Sequence, residues 1–189
     1  MTFVDRFLQS WRIRKARRYI KPGSRVLDIG SVDGVLFQQL SLENTQSVGI
    51  DPTLKSDVQI GNSKLVAGFF PAAMPDVEPF DAITMLAVLE HFPASEYESL
   101  SQGCVRFLKP GGFLVITVPS AFVDNILAML KFLRLIDGMS LEEHHGFDVK
   151  QTPEIFSGKY FRLVRHSTFQ FGLNHLFVFE RVEPAGVSI

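Results

Sequence analysis

Cysteine occurs once in the 189 residues, at Cys104. No internal disulfide can form, so the chain reads as a reduced, cytoplasmic protein. Long apolar runs are missing too. The greasiest stretch, residues 113–136, is cut by Pro119 and Ser120 and carries Asp124, Asn125, Lys131 and Arg134. A membrane span needs about 20 mostly apolar residues in a row, so this stretch reads as a strand followed by a separate helix. Residues 1–11 lack the continuous apolar core of a secretion signal. The 14 glycines follow no period of three, which excludes collagen. With 46% hydrophobic and 21% charged residues, intrinsic disorder is excluded as well. What remains is one domain with a sizeable core. Its aromatic content is skewed, with 18 Phe against 3 Tyr and 1 Trp, which fits a dense aromatic core or an apolar pocket.

Charge is short of one sign locally. Between residues 6 and 25 there are eight Lys or Arg and no acid, whereas the residues after 25 carry 11 basic and 19 acidic side chains. Two readings stand. Either a helix with a solvated basic face docks on an acidic body, or the face is a patch for anionic lipid or another polyanion.

Periodicity supplies the elements. Phe3, Val4, Phe7, Leu8, Trp11, Ala16, Tyr19 and Ile20 form a helical stripe, and Pro22-Gly23 ends that helix, expected over residues 2–21. Short apolar strands are expected at 24–30, 46–51, 64–70, 80–86 and 113–118. Helices are expected at 34–42 and 95–108, with Cys104 a packed thiol in the latter. This alternation specifies a parallel sheet covered on both faces. Residues 160–171 and 175–182 read instead as a closing β-hairpin.

The strongest chemical signal is Val26-Leu27-Asp28-Ile29-Gly30-Ser31-Val32-Asp33-Gly34. A buried strand ends in an acid, then a glycine turn leads into a helix. Ligands of open α/β sheets bind at such strand ends, and a helix N-terminus offers N–H donors to an anion. The glycine spacing selects among ligands. A dinucleotide fingerprint needs G-x-G-x-x-G, but Val32 and Val35 stand at the second and third places, and no Gly-Lys-Ser/Thr completes a P-loop. Asp28 suits a positive centre. Asp51 closes the second strand, 21 residues after Gly30, where a carboxylate accepts ribose hydroxyls. The pocket therefore expects a ribose, a cationic part and no polyphosphate.

These stretches, with Val48-Gly49-Ile50-Asp51, the run from Phe80-Asp81 to Glu90-His91-Phe92, and Leu108-Lys109-Pro110-Gly111-Gly112, stand in the order and spacing of a known family. The chain resembles class I S-adenosylmethionine-dependent methyltransferases, in particular the small-molecule branch of quinone biosynthesis, over residues 22–181. The resemblance implies a Rossmann-like, seven-stranded α/β sheet of order 3-2-1-4-5-7-6 with its last strand antiparallel and helices on both faces. It implies S-adenosylmethionine as cofactor and a small-molecule or lipid-like methyl acceptor. Asp28 would lie near the methionine ammonium. Gly30, Ser31 and Gly34 would approach the methionine portion, and Asp51 would hold the ribose. Leu86 and Ala87 would offer backbone groups, and Phe69 and Phe70 would lie near adenine. Two positions depart from the family pattern: Val32 replaces a glycine, and Phe69 stands where many members carry an acid.

His91, in the family's Leu-Glu-His position, is a candidate for shaping the site or acting as base. His144 and His145 fall in a helical insertion expected over residues 120–151, which often forms a substrate lid in the resembled family, and they are further candidates. An apolar helix at residues 121–136 would cover an acceptor, pack in a homodimer or touch a membrane. No H-E-x-x-H spacing occurs, so no metal is expected, and no nucleic-acid partner. The rival reading is a non-catalytic protein of the same fold, its cofactor pocket degenerate, serving as a partner- or membrane-binding module. A nicotinamide oxidoreductase is disfavoured by the glycine spacing.

Overall fold

The computed structural model describes residues 3–43, 45–120, 147–156 and 158–184. Its sheet contains β1 (Val26–Ile29), β2 (Val48–Asp51), β3 (Val58–Ile60), β4 (Ser63–Ala67), β5 (Phe80–Leu86), β6 (Leu108–Pro119), β7 (Phe161–Phe169) and β8 (Asn174–Arg181). The order is β3-β4-β2-β1-β5-β6-β8-β7. The pairs β4–β2–β1–β5–β6 are parallel, and β8 runs antiparallel to both β6 and β7. Seven strands follow the expected order. The eighth is β3, a three-residue edge strand that pairs antiparallel with β4 through a turn at Gly61, whose φ is +58°. It was not anticipated because three residues, two of them exposed, give no readable alternation.

All four residues of β1 and of β2 are buried, as strands covered on both faces require. One cover is α3 (Tyr97–Phe107) with α4 (Gln151–Phe156). Here Phe70, Phe80, Phe107, Phe156, Phe161, Phe177 and Phe179 form a shared core with Cys104. With Phe37 and Phe169, nine of the 18 phenylalanines are buried among the described residues. Burial pushes the Cys104 thiol pKa far up, as expected of a packed thiol. The other cover is α1 (Phe3–Ala16) and α2 (Val35–Leu40). Ile13, Ala16 and Ile20 are buried, whereas Arg6, Phe7, Arg14, Arg17, Arg18 and Lys21 are exposed. The basic residues thus line a solvent face of a docked helix.

Several boundaries differ from expectation. The first helix tightens into a 3₁₀ turn at Arg17–Tyr19. Helix α2 stops at Leu40 because Ser41 takes a left-handed conformation. Strand β4 ends at Ala67, where Gly68 turns out of the sheet with φ +145°. Strand β6 starts at Leu108 and loops out Lys109 to Gly112 between the pairs Phe80↔Leu108 and Ala82↔Phe113. Strand β7 ends at Phe169, and the turn that follows holds Gln170, Phe171 and Gly172 all at positive φ. Most of the 120–151 insertion, with the helix at 121–136 and both His144 and His145, lies outside the described residues. Among the described residues no helix is long and apolar enough to cross a membrane.

Candidate cofactor and acceptor site

The loops that leave the carboxyl ends of β1, β2, β4 and β5 enclose a cavity of about 470 Å³. Gly30, Val32, Asp51, Phe69, Phe70, Leu86, Ala87 and His91 are among its walls. Sequence reasoning had placed nearly all of these in one site, and the fold brings them together. Gly30 is required by geometry: its φ is +85°, and a Cβ there would come within 2.3 Å of Val88 Cγ2. Val32 is 56% exposed at the cavity rim, so its side chain narrows the entrance without filling the interior. Phe69 stands open at the same rim, whereas Phe70 turns inward and packs on Phe107 with ring centroids 6.0 Å apart. Only one of the two rings is thus free to meet a ligand face.

Asp51 is buried, and its Oδ1 accepts the Thr53 backbone N–H at 2.7 Å and the Thr53 hydroxyl. The turn fixes the carboxylate and leaves Oδ2 for a ligand. Ala87 lines the cavity in a left-handed conformation. Its φ is +61°, and its N–H already donates to the Thr117 carbonyl at 2.8 Å. Of its own backbone groups, Ala87 has its carbonyl left to offer.

A second, smaller cavity of about 40 Å³ shares Ile29, Gly30 and Leu86 with the first and adds Asp28, Ser31, Asp33, Gln9 and Arg12. Asp28 pairs in register with Thr84 on β5 and Gly49 on β2. That register points the Thr84 hydroxyl at Asp28, where it donates to Oδ1 at 2.6 Å. Burial pushes the Asp28 carboxyl up from 3.8 to about 6, the hydroxyls of Thr84 and Ser31 work against this, and the charges of Asp33 and Asp51 add to it.

The N-terminus of α2 carries an acid of its own. Asp33 Oδ1 accepts the Val35 N–H at 3.1 Å, and Gly30 N–H donates to Ile50 at 2.9 Å. A carboxylate at this end of the helix disfavours a second anion beside it.

Arg12 was missed by sequence reasoning, which counted it with the solvated basic residues. It faces the small cavity instead. Burial lowers its guanidinium pKa, while the nearby carboxylates of Glu90, buried at the start of the loop after β5, and Asp5 act in the opposite direction. The signal was in the spacing: Arg12 falls on the stripe of Gln9, Ile13, Ala16 and Ile20, the face that α1 turns to the body. A cation and an anion now flank one small cavity beside a larger one with a ribose-type acid. His91 lies in a 3₁₀ turn, Leu89–His91, at the wall of the large cavity, and His144 and His145 lie outside the described residues.

A buried acid and a glycine turn at the carboxyl ends of parallel strands thus lie beside a half-buried arginine of α1. The profile of the methyltransferase domain family matches residues 2–166, and the chain belongs to that family. Among curated proteins it is similar to the ubiquinone biosynthesis O-methyltransferase of Pseudomonas putida, 30% identical over 129 residues, covering 60% of this chain and 54% of that protein. The Chromobacterium violaceum protein of the same name is 33% identical over 103 residues, covering 49% and 43%. The chain thus spans about half the length of the curated relatives it matches. Magnesium protoporphyrin IX methyltransferase from Synechocystis PCC 6803, solved with bound SAH, superposes with a TM-score of 0.66 at 16% identity, covering 96% of this chain and 88% of that one. N-methyltransferase NodS from Bradyrhizobium japonicum WM9 gives 0.63 at 16%, covering 93% and 97%. At such identities these two likenesses speak for the fold.

Proposed function

We propose that the chain binds S-adenosylmethionine and methylates a small-molecule or lipid-like acceptor. The observation that carries this reading is a pair of neighbouring cavities, a wide one beside Asp51 and a narrow one lined by Asp28 and Arg12, with Ile29, Gly30 and Leu86 lining both. Adenosine joined to an amino-acid head has that distribution of charge. Asp51 would take a ribose hydroxyl, Phe69 would stack on the adenine, Asp28 would meet the ammonium and Arg12 the carboxylate. S-adenosylmethionine, when bound, supplies a sulfonium-activated methyl group for in-line displacement, and the residues around it supply alignment. His91, beside Phe92 and Glu96 in the cavity wall, is placed to orient an acceptor or to take its proton. The apolar wall of Val32, Val88 and Phe92 favours an apolar acceptor. Similarity to the ubiquinone biosynthesis O-methyltransferases favours a hydroxyl as the methyl-accepting group.

Calorimetric titration with S-adenosylmethionine, S-adenosylhomocysteine and NADH tests the reading. One-to-one binding of the first two and none of the third is expected. Failure of both adenosyl ligands to bind would overturn it and leave the non-catalytic reading.

A surface feature supports a membrane-borne acceptor. The solvent face of α1 and of the 3₁₀ turn after it presents Arg6, Arg14, Arg17 and Arg18 with half-exposed Phe7, and Phe171 on the β7–β8 turn is 97% exposed. Cations beside exposed aromatic rings suit an anionic bilayer, each charge contributing about 1 kcal/mol near it. Co-sedimentation with anionic vesicles that weakens with salt is expected, and equal pelleting with neutral vesicles, or none at low salt, would contradict it.

A further inference from the structure

The turn between β7 and β8 folds two amides inward. Asn174 is 4% and Gln170 is 3% exposed, although Phe171 and Gly172 between them face solvent. Gln170 does this from the left-handed region, at φ +52°, which a non-glycine residue adopts at a cost unless its surroundings impose it. Burying an amide is unfavourable unless its hydrogen bonds are satisfied, and the partners found here belong to α1 or to the other amide. Asn174 Oδ1 accepts a hydrogen bond from Arg12 Nε at 3.4 Å. Asn174 Nδ2 donates to Gln170 Oε1 in a short bond. Gln170 Nε2 donates to the Leu8 carbonyl, one turn before Arg12, at 3.4 Å.

We propose that Asn174 and Gln170 are positioning residues, which hold the Arg12 guanidinium over the Asp28 cavity and so set the affinity for the carboxylate-bearing end of the ligand. This rests on the reading that the small cavity takes an amino-acid head. Asn174 engages Nε, and the carboxylates of Glu90 and Asp5 act on the same guanidinium, so the Arg12 head is held at the cavity wall, where its planar fork suits a carboxylate. Gln170 fixes the same helix turn from its backbone. The tip of the hairpin, 162 positions from Arg12 in the chain, becomes part of the cofactor site without touching the ligand.

The test compares two ligands. S-Adenosylhomocysteine carries the amino-acid head, and 5′-methylthioadenosine keeps the adenosine and thioether but lacks it. In Asn174→Ala and in Gln170→Asn, which tolerates the left-handed turn, the dissociation constant for S-adenosylhomocysteine should rise about three- to tenfold. That for 5′-methylthioadenosine should stay within about twofold, which also certifies the fold. Arg12→Ala should lose more of the first affinity and none of the second. The Arg12→Ala/Asn174→Ala pair should be no worse than Arg12→Ala alone, since residues acting as one unit are not additive. Equal losses for both ligands, unchanged S-adenosylhomocysteine binding in both amide variants, or additive losses in the pair would overturn the proposal. If Arg12→Ala fails to separate the two ligands, the amino-acid-head reading itself falls. If Arg12→Ala separates them and the amide variants do not, only the positioning role falls.

Discussion

Asp28→Asn should make the protein more stable and a poorer binder at once. The folded-state carboxyl is displaced from 3.8 to about 6, a difference of about 3 kcal/mol between the protonation states. Between these two values the folded protein binds more protons than the unfolded chain, so stability falls as pH rises through that window. Below 3.8 the group costs nothing. Above about 6 the full penalty of holding a buried carboxylate applies. Asparagine keeps the shape and an acceptor for the Thr84 hydroxyl but never ionises. At pH 7.5 the variant should therefore be more stable by up to about 3 kcal/mol, raising the melting temperature by about 6–10 °C for a chain of this size. The gain should vanish near pH 4. The difference between variant and wild-type melting curves isolates Asp28 from other titrating groups.

The same charge should govern the ligand. Losing a charge-assisted bond costs about 1.5–3 kcal/mol, so S-adenosylhomocysteine should bind Asp28→Asn about ten- to hundredfold more weakly. In the wild type only about one carboxyl in ten is ionised at pH 5, so affinity should sit about tenfold below its plateau there and level off above pH 7. The variant should show no such inflection. Scanning calorimetry over pH 4–8 and binding titrations over the same range read both effects. A variant no more stable than wild type at pH 7.5, with unchanged affinity, would refute the assignment of Asp28 as a strained cation acceptor.

Asp51→Asn preserves the Thr53 turn but removes the charge, and by equilibrium dialysis it should weaken S-adenosylhomocysteine about ten- to hundredfold with the melting temperature little changed. Gly30→Ala should destabilise by about 1–3 kcal/mol in urea unfolding, because its Cβ meets Val88 Cγ2 at a positive φ; Val88→Ala in the same chain should recover part of that loss, and no recovery would show that φ alone is responsible. Val32→Gly should bind the cofactor at least as well as wild type, since the exposed side chain narrows the rim; a clear loss with the fold intact would show that Val32 packs on the ligand.

Buried runs made the centre of the fold legible in the sequence. Strands β1, β2 and β5 are short, apolar and bounded by glycine, proline or acid, and the turn at Gly30 announces its geometry through residue type. Short or mixed elements were not legible. Strand β3 has three residues, and α4 carries Pro153 within six residues, too few for a period. Asp28, Gly30 and Asp51 were legible as residues that meet at the candidate cavities, because each stands at a strand end. Arg12 was not, because its burial depends on how α1 lies on the sheet and on two amides far along the chain. Phe70 and Ala87 line the cavity as expected, but the packing of Phe70 on Phe107 and the bond from the Ala87 N–H to Thr117 also tie them to the scaffold. Pattern alone cannot separate a ring that faces a ligand from one that faces the core next door.

A crystal structure of the chain with S-adenosylhomocysteine at saturating concentration would be decisive. The ligand should lie across both cavities, with its ribose on Asp51, its adenine against Phe69, its ammonium at Asp28 and its carboxylate on Arg12. A cavity that stays empty at saturation, or a ligand whose amino-acid head points away from Asp28 and Arg12, would contradict the reading of this site.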